Sequence, residues 1–523
     1  MGLFSGLRVP ADNLTAAARC NRCRPSPGTR RTQPLLAAAL VVGSAVPIWA
    51  QSHPPPAQSS PAQSSQVTNA DGPQVTAGGS GVPDYQLDRS EEDWSGLCRH
   101  ANGRDDFWDP LKCIGLGRPF WYVSFGAELR GSYEVYRNYN WGSGPQDGNG
   151  YYLNRLISHA DFHLGPSVRI FAELQSGLEF GRNGGPRPAI DEDKLDVSEL
   201  FLELRPSTQQ HNIPIEVRVG RQNLSYGDGS LVSIRDLNVR RPFDGIKLIL
   251  RPQEWRIDIF AAKPVETSPG FFDDAPDHTQ TFWGIWATDT KGQSFVRQLD
   301  FYYLGLDRKD AQFDQGTARE RRNTLGVRAH ETASKLAFIQ EGDLQLGTFG
   351  SGRLLAWKFA DGLSYSLPQI RQHPTLELQG AISSGNKNPQ NVDLQTFYPL
   401  FPSGLYYGDM VFTSGSLNAI VAHPSVGMQL SKGLSLNVDS FFLWRQRTTD
   451  GLYSQAGMFL RTGQTSRSRY VGATQDLSIA WQVDRHTTVR FLAAYYEVGS
   501  YLRETQPLGK NTAYFSVIAN YKF

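Results

Sequence analysis

The sequence predicts an all-β protein, a transmembrane antiparallel β-barrel of about 18 strands preceded by a short periplasmic segment. Three observations lead there. The chain ends on Ala513, Phe515, Val517, Ala519, Tyr521 and Phe523, alternating with Tyr514, Ser516, Asn520 and Lys522 and with only Ile518 off pattern, so a period of two runs to the final residue. From Phe120 onward about 18 segments of roughly 10 to 14 residues repeat that period, an even number of the right length for tilted spanning strands. The links also sort by length. They are tight at Gly165-Pro166, Pro206–Asn212, Pro252-Gln253, Ser431–Gly433 and Asp484–His486, after the second, fourth, sixth, fourteenth and sixteenth segments. After the first, third, fifth, seventh, ninth, thirteenth and fifteenth they are long and polar, and only the link near Gly350 is short on that side. Short periplasmic turns and long outer loops are the habit of bacterial barrels, and a soluble β-sandwich or propeller has no reason to sort its loops so.

In chain order, residues 1–50 read as a secretory signal. Arg30 and Arg31 precede the apolar run Leu35–Val46, and Ala50 precedes a polar stretch, with no Cys behind it for a lipid anchor. Residues 51–84, rich in Pro, Gln and Ser, read as a disordered linker. Residues 85–119 hold aromatics and two cysteines without a long period and read as a lead-in packed at the barrel mouth. The barrel follows over 120–523. Removal of the signal takes six Arg and one Asp, leaving 46 basic and 50 acidic side chains and a net charge of −4. It also takes Cys20 and Cys23, so Cys98 and Cys113 remain as an even pair in an oxidising compartment and are expected to form a disulfide.

The first strand shows the two faces most clearly. Trp121, Val123, Phe125, Ala127, Leu129, Tyr133 and Val135 alternate with Tyr122, Ser124, Glu128, Arg130, Ser132 and Glu134, one set for lipid and one for water. Val168, Ile170, Ala172, Leu174, Leu178 and Phe180 against Arg169, Glu173, Gln175 and Glu179 repeat the pattern. A wall that exposes alternate residues to lipid needs no long apolar run, which suits a hydrophobic content of 39% and an aromatic share of 11%. Trp141, Tyr151, Tyr152, Phe271 and Phe272, near strand ends, suit interfacial girdles.

Several stretches carry a resemblance. Gly220 to Asp228 (GRQNLSYGD), Asn238 to Arg241 (NVRR), Phe243-Asp244-Gly245, Gly185 to Pro188 leading to Asp191-Glu192-Asp193, and Phe397 to Pro402 before Tyr406-Tyr407-Gly408 are similar to the alginate-export family of outer-membrane barrels. The resemblance spans about residues 93–523. It implies a monomeric 18-stranded barrel with a constricted, arginine-lined lumen that passes an acidic polysaccharide; no cofactor is expected, and the sequence leaves open which periplasmic export partners would feed it. The composition suits that, with 40 Arg to 12 Lys, because guanidinium groups stay charged and bind planar carboxylates in a bidentate way.

Arg218, Arg221, Arg240 and Arg241, within the family-like stretches, are the candidate lumen residues for an anionic substrate, and Arg130 and Arg169 join them by alternation. Each has a plainer role available, pairing with lumen Glu and Asp to hold the wall. Arg221 falls on the lipid side by strict alternation, so Gly220 must re-aim it or the strand must end there. A metal reading of His159, Asp161 and His163 fails on reach, since residues four apart on a strand are separated by about 13 Å. Asp273-Asp274 with Asp277-His278 reads as a solvated outer loop before a Ca²⁺ site, and no metal is expected. No GxSxG, HExxH or phosphate-binding glycine loop occurs in a fitting context, so the chain is not expected to be an enzyme or to bind nucleic acid. Uptake of small anions or oligosaccharides is the second functional reading. A barrel that works as an enzyme or surface scaffold through loops such as 385–423 is the third, and that loop is also the candidate plug.

Overall fold

Alternation of apolar and polar residues closes into a cylinder only if first and last strands meet, and here they do. In the computed structural model, which describes residues 84–99, 106–206, 213–292, 296–403 and 415–523, eighteen strands form one antiparallel barrel. They are β1 (Trp121–Arg137), β2 (Tyr151–Leu164), β3 (Val168–Phe180), β4 (Asp193–Leu204), β5 (Ile215–Gln222), β6 (Phe243–Leu250), β7 (Trp255–Glu266), β8 (Gln280–Asp289) and β9 (Val296–Phe313). The second half comprises β10 (Gly316–Ala333), β11 (Leu336–Phe349), β12 (Gly352–Ser366), β13 (Thr375–Ser383), β14 (Ala419–Ser431), β15 (Leu434–Arg445), β16 (Tyr470–Gln482), β17 (Thr487–Val498) and β18 (Thr512–Lys522). β18 closes on β1 in the register Tyr133↔Val517, and Phe523 continues the seam by exchanging backbone hydrogen bonds with Ala127 at 2.9 and 3.0 Å. Among the described residues no helix is long and apolar enough to cross a membrane, so the strands make the crossing.

The outward face is an apolar band, with Leu129, Leu174, Leu325, Leu355, Phe359 and Leu378 all exposed. The inward face is not a bare polar channel. Loop 223–242 and the loop between β13 and β14 turn into the barrel and meet there, where Phe401 N–H donates to the Leu231 carbonyl at 2.8 Å and Ser233 N–H donates to that of Phe401 at 2.9 Å. Leu231, Val232, Phe397, Leu400 and Phe401 pack against inward residues of β7–β12 such as Phe260, Phe282, Trp286 and Tyr302. Each large apolar side chain so buried contributes about 1.5–3 kcal/mol.

Three expectations change here. The ninth link is not long, because Asp314-Gln315 is a two-residue turn. The charged residues on both sides of that turn continue the ladder, paired across the hairpin as Arg308–Glu320 and Arg319–Asp307. The large loop spans 384–418 and stops short of His423, which stands opposite Gln379 in the β13–β14 ladder. Trp141 and Tyr151 are interior rather than girdle residues. Tyr151 shares the inward parity of Leu153 and Arg155 and donates its hydroxyl to Glu134 at 2.6 Å, while Tyr152, Phe271 and Phe272 are exposed.

The lead-in lies against the short-turn end. Cys98 and Cys113 are disulfide-bonded with Cα atoms 5.4 Å apart. Trp108 stacks on Phe523 at 3.9 Å and donates to the Tyr521 hydroxyl, Lys112 donates to the Phe125 carbonyl, and His486 pairs with Asp106 at 2.6 Å. The signal, the linker up to residue 83, Cys20, Cys23 and Tyr406 to Gly408 lie outside the described residues.

Candidate lumen site

Loop 223–242 enters the barrel because β5 and β6 are only eight residues long. At the end of β5, Gly220 takes φ +132°, and a Cβ there would stand 2.2 Å from the Leu200 carbonyl oxygen. The register continues through it, Phe201↔Gly220↔Gly245, so the glycine permits close strand approach and makes no bulge. Gly220→Ala is expected to destabilise the refolded barrel by about 1–3 kcal/mol, read as a lower urea midpoint. An unchanged midpoint would show that β4 and β5 can part without loss.

Arg221 is therefore not a lumen residue. One position from the end of β5, it shares the outward side with exposed Val219, bonds Asp244 at 2.8 and 3.0 Å and is covered by the Asp274 carbonyl at 3.3 Å. Strict alternation holds, and the rim position supplies its partners.

Arg130, Arg169, Arg218 and Arg240 do face inward, in company with carboxylates. Near the short-turn end Arg169 bonds Asp161 at 2.7 and 3.0 Å, Arg218 bonds Glu203 at 2.7 and 3.0 Å, and Arg256 bonds Asp258 at 2.9 Å. At mid-depth Arg155 joins Glu128 to Asp236 on the infolded loop, the latter at 2.7 Å. Arg240 lies 3.5 Å from Glu128 and 3.4 Å from Asp236, and Arg130 reaches Asp236 at 3.5 Å. Across the lumen Arg308 and Arg322 share Glu320, and Lys358 pairs with Glu341 at 2.8 Å. Most inward guanidiniums are thus wall struts as well as charges.

Two cations differ. Arg241 rests on the ring of Phe401, 4.8 Å from its centre, and Arg235 donates to the Ala189 carbonyl, and neither makes an ion pair with a described residue. Burial pushes Arg241 down to about 10, and burial with the neighbouring Arg241 charge pushes Arg235 down to about 9, so both remain cationic at neutral pH. Alternation cannot locate them, because they sit on a loop. Sequence reasoning misses Arg235, Asp236 and Arg155, and of these only Arg155 carries a signal, as an inward residue of β2.

His159 and His163 take separate partners, the Phe171 ring at 5.3 Å and Asp161 at 2.9 Å. Asp273 and Asp274 of the outer loop gather with Asp196 of β4, their carboxylate oxygens within 4.8 Å of one another, whereas Asp277 accepts from Thr279 and Gln280.

A family model described as alginate export matches residues 121–515. Among solved structures the chain is similar to OpdK of Pseudomonas aeruginosa, crystallised with vanillate, at 12% identity over 77% of this chain and 98% of that one, with a TM-score of 0.52. It is also similar to OccD3 (OpdP) of the same organism, at 11% identity over 79% and 93% and a TM-score of 0.51. At such identities the likeness concerns the fold. No curated protein matches the sequence.

Proposed function

The chain belongs to the alginate export family, whose barrels are outer-membrane channels, and on that premise we propose that it passes an anionic polysaccharide through its lumen. The observation that carries this reading is the pair Arg235 and Arg241 on the infolded loop, cationic and without carboxylate partners among the described residues, beside a wall whose inward arginines Arg155, Arg169, Arg218 and Arg322 each pair with a carboxylate. A polymer carboxylate entering there gains charge-assisted hydrogen bonds without breaking an existing ion pair. The struts Arg130, Arg169, Arg218 and Arg240 keep the path polar and charged along its depth. The channel works as a monomer with no cofactor, and periplasmic partners deliver the chain. Selectivity then comes from the sign and position of fixed charge.

Uptake of small anions is the second reading, favoured by the near balance of guanidinium and carboxylate groups along the wall. Planar-bilayer recording separates the two. Under a salt gradient the barrel is expected to prefer anions and to be blocked by oligouronates but not by neutral oligosaccharides of equal length. Arg235→Ala with Arg241→Ala should weaken that block roughly tenfold, about 1.4 kcal/mol. Block that ignores the double substitution would move the anion path away from the infolded loop.

A further inference from the structure

At the short-turn mouth one carboxylate of the lead-in pairs with arginines of the wall. The turn Arg89–Glu91 of the lead-in reaches into the lumen, where Glu91 accepts from both Nη1 and Nη2 of Arg218 at 3.3 Å and lies 3.9 Å from Nη1 of Arg256. One residue earlier, the Ser90 carbonyl accepts from Nη2 of Arg169 at 2.6 Å. Three guanidiniums on three different strands thus converge on a carboxylate and a neutral oxygen of one short segment. An acidic sugar offers that same combination, a carboxylate flanked by hydroxyl or ring oxygens.

The seat is built independently of Glu91. Arg218 is held by Glu203, Arg256 by Asp258 and Arg169 by Asp161, so the guanidiniums keep their positions when the turn leaves. Partial burial works against the Glu91 charge, but Arg218 and Arg256 outweigh it and hold the carboxyl well below the usual carboxylate range. With its side chain one-third exposed, Glu91 stands open to exchange. The turn itself is tied down by Arg89, which donates to the Phe523 carbonyl at 2.8 Å and the Ala127 carbonyl at 3.2 Å. Those are contacts to backbone at the barrel seam, and they leave the Arg218–Arg256 seat intact when they break.

We propose that Arg218, Arg256 and Arg169 form a uronate-binding seat at the periplasmic mouth and that Glu91 of the lead-in occupies it as an internal competitor, displaced by the incoming polymer. The inference rests on the anionic-polysaccharide reading. It makes the lead-in a gate that anionic polymers open and neutral ones do not.

The test is block of the full barrel by tri- and tetragalacturonate added from the periplasmic side, with malto-oligosaccharides of the same length as neutral controls. Glu91→Gln keeps the shape of the turn and removes its charge, so it is expected to lower the concentration for half-block by about threefold to tenfold, or 0.7–1.4 kcal/mol. Adding Arg256→Gln should abolish that gain. Equal block of wild type and Glu91→Gln would overturn the competitor while leaving the anionic channel standing. Indifference of every variant to uronates, with block by neutral sugars or none, would remove the anionic-polysaccharide reading itself, and the seat with it.

Discussion

Arg155→Ala is expected to destabilise the barrel by about 3–5 kcal/mol and to free loop 223–242 from the wall. Arg155 is 1% exposed and is the strut between Glu128 of β1 and Asp236 of the loop, with a further bond from its Nη1 to the Leu237 carbonyl at 2.5 Å. Truncation leaves Glu128 buried with Arg240 at 3.5 Å and Lys522 at 3.9 Å as its nearest cations. It leaves Asp236 with Arg130 and Arg240 at 3.5 and 3.4 Å. A buried charge that loses its close partner costs more than the pair contributes when intact, so Arg155→Met combined with Glu128→Leu should recover much of the loss. The urea midpoint of the refolded barrel measures the first effect. Trypsin measures the second, because Arg235 and Arg240 become cleavable only when the loop leaves the wall. A loop that stays protected in Arg155→Ala would show that the apolar contacts of Leu231 and Val232 hold it unaided.

The other large effect is expected at Arg445, the last residue of β15. Its guanidinium donates to five carbonyls of the following loop, those of Thr448 and Asp450 at 3.0 Å, Gly463 at 3.4 Å, Ser466 at 2.8 Å and Ser468 at 2.6 and 3.2 Å. It also lies 3.9 Å from the centre of the Tyr501 ring. Five donors in a rigid fork match that set, and an ammonium with three cannot. Arg445→Ala should therefore lose more than about 3 kcal/mol, since buried carbonyls without donors each cost about 1–3 kcal/mol. Arg445→Lys should recover less than half. Limited proteolysis within 446–469, alongside the urea midpoint, would decide whether the loss is confined to this outer loop. Unchanged protection in both variants would assign the fold of the loop to Asp450, which bonds Asn386, Thr396 and Tyr453.

How much of this is legible in the sequence depends on whether a residue lies in the wall. A period of two is a direct record of which side a strand residue faces, so alternation alone places Glu128, Arg130, Arg169 and Arg218 inward and Leu129 and Leu174 outward. The same rule holds at Arg221, whose outward side chain meets partners only because the strand ends at the rim. Composition misleads where it is allowed to override the period. An aromatic ring near a strand end suggests a girdle for Tyr151, although its parity with Leu153 and Arg155 turns it inward. Dense charge suggests a long link after the ninth segment, although the charges of Asp307, Arg308, Arg319 and Glu320 pair across a continuing ladder. Infolded loops leave no periodic signal at all. That Arg235 and Arg241 stand uncompensated depends on which carboxylates the closure of the barrel brings near them, and that Glu91 meets Arg218 depends on a contact across 127 residues.

The most direct measurement is release of fluorescently labelled sugar oligomers of equal length from proteoliposomes holding the full barrel, comparing galacturonate chains with neutral maltose-type chains. The acidic oligomers are expected to escape faster, and Arg235→Ala with Arg241→Ala to remove most of the difference while the neutral rate stays the same. Release that favours the neutral oligomers, or does not distinguish the two, would contradict an anionic polysaccharide path through this lumen.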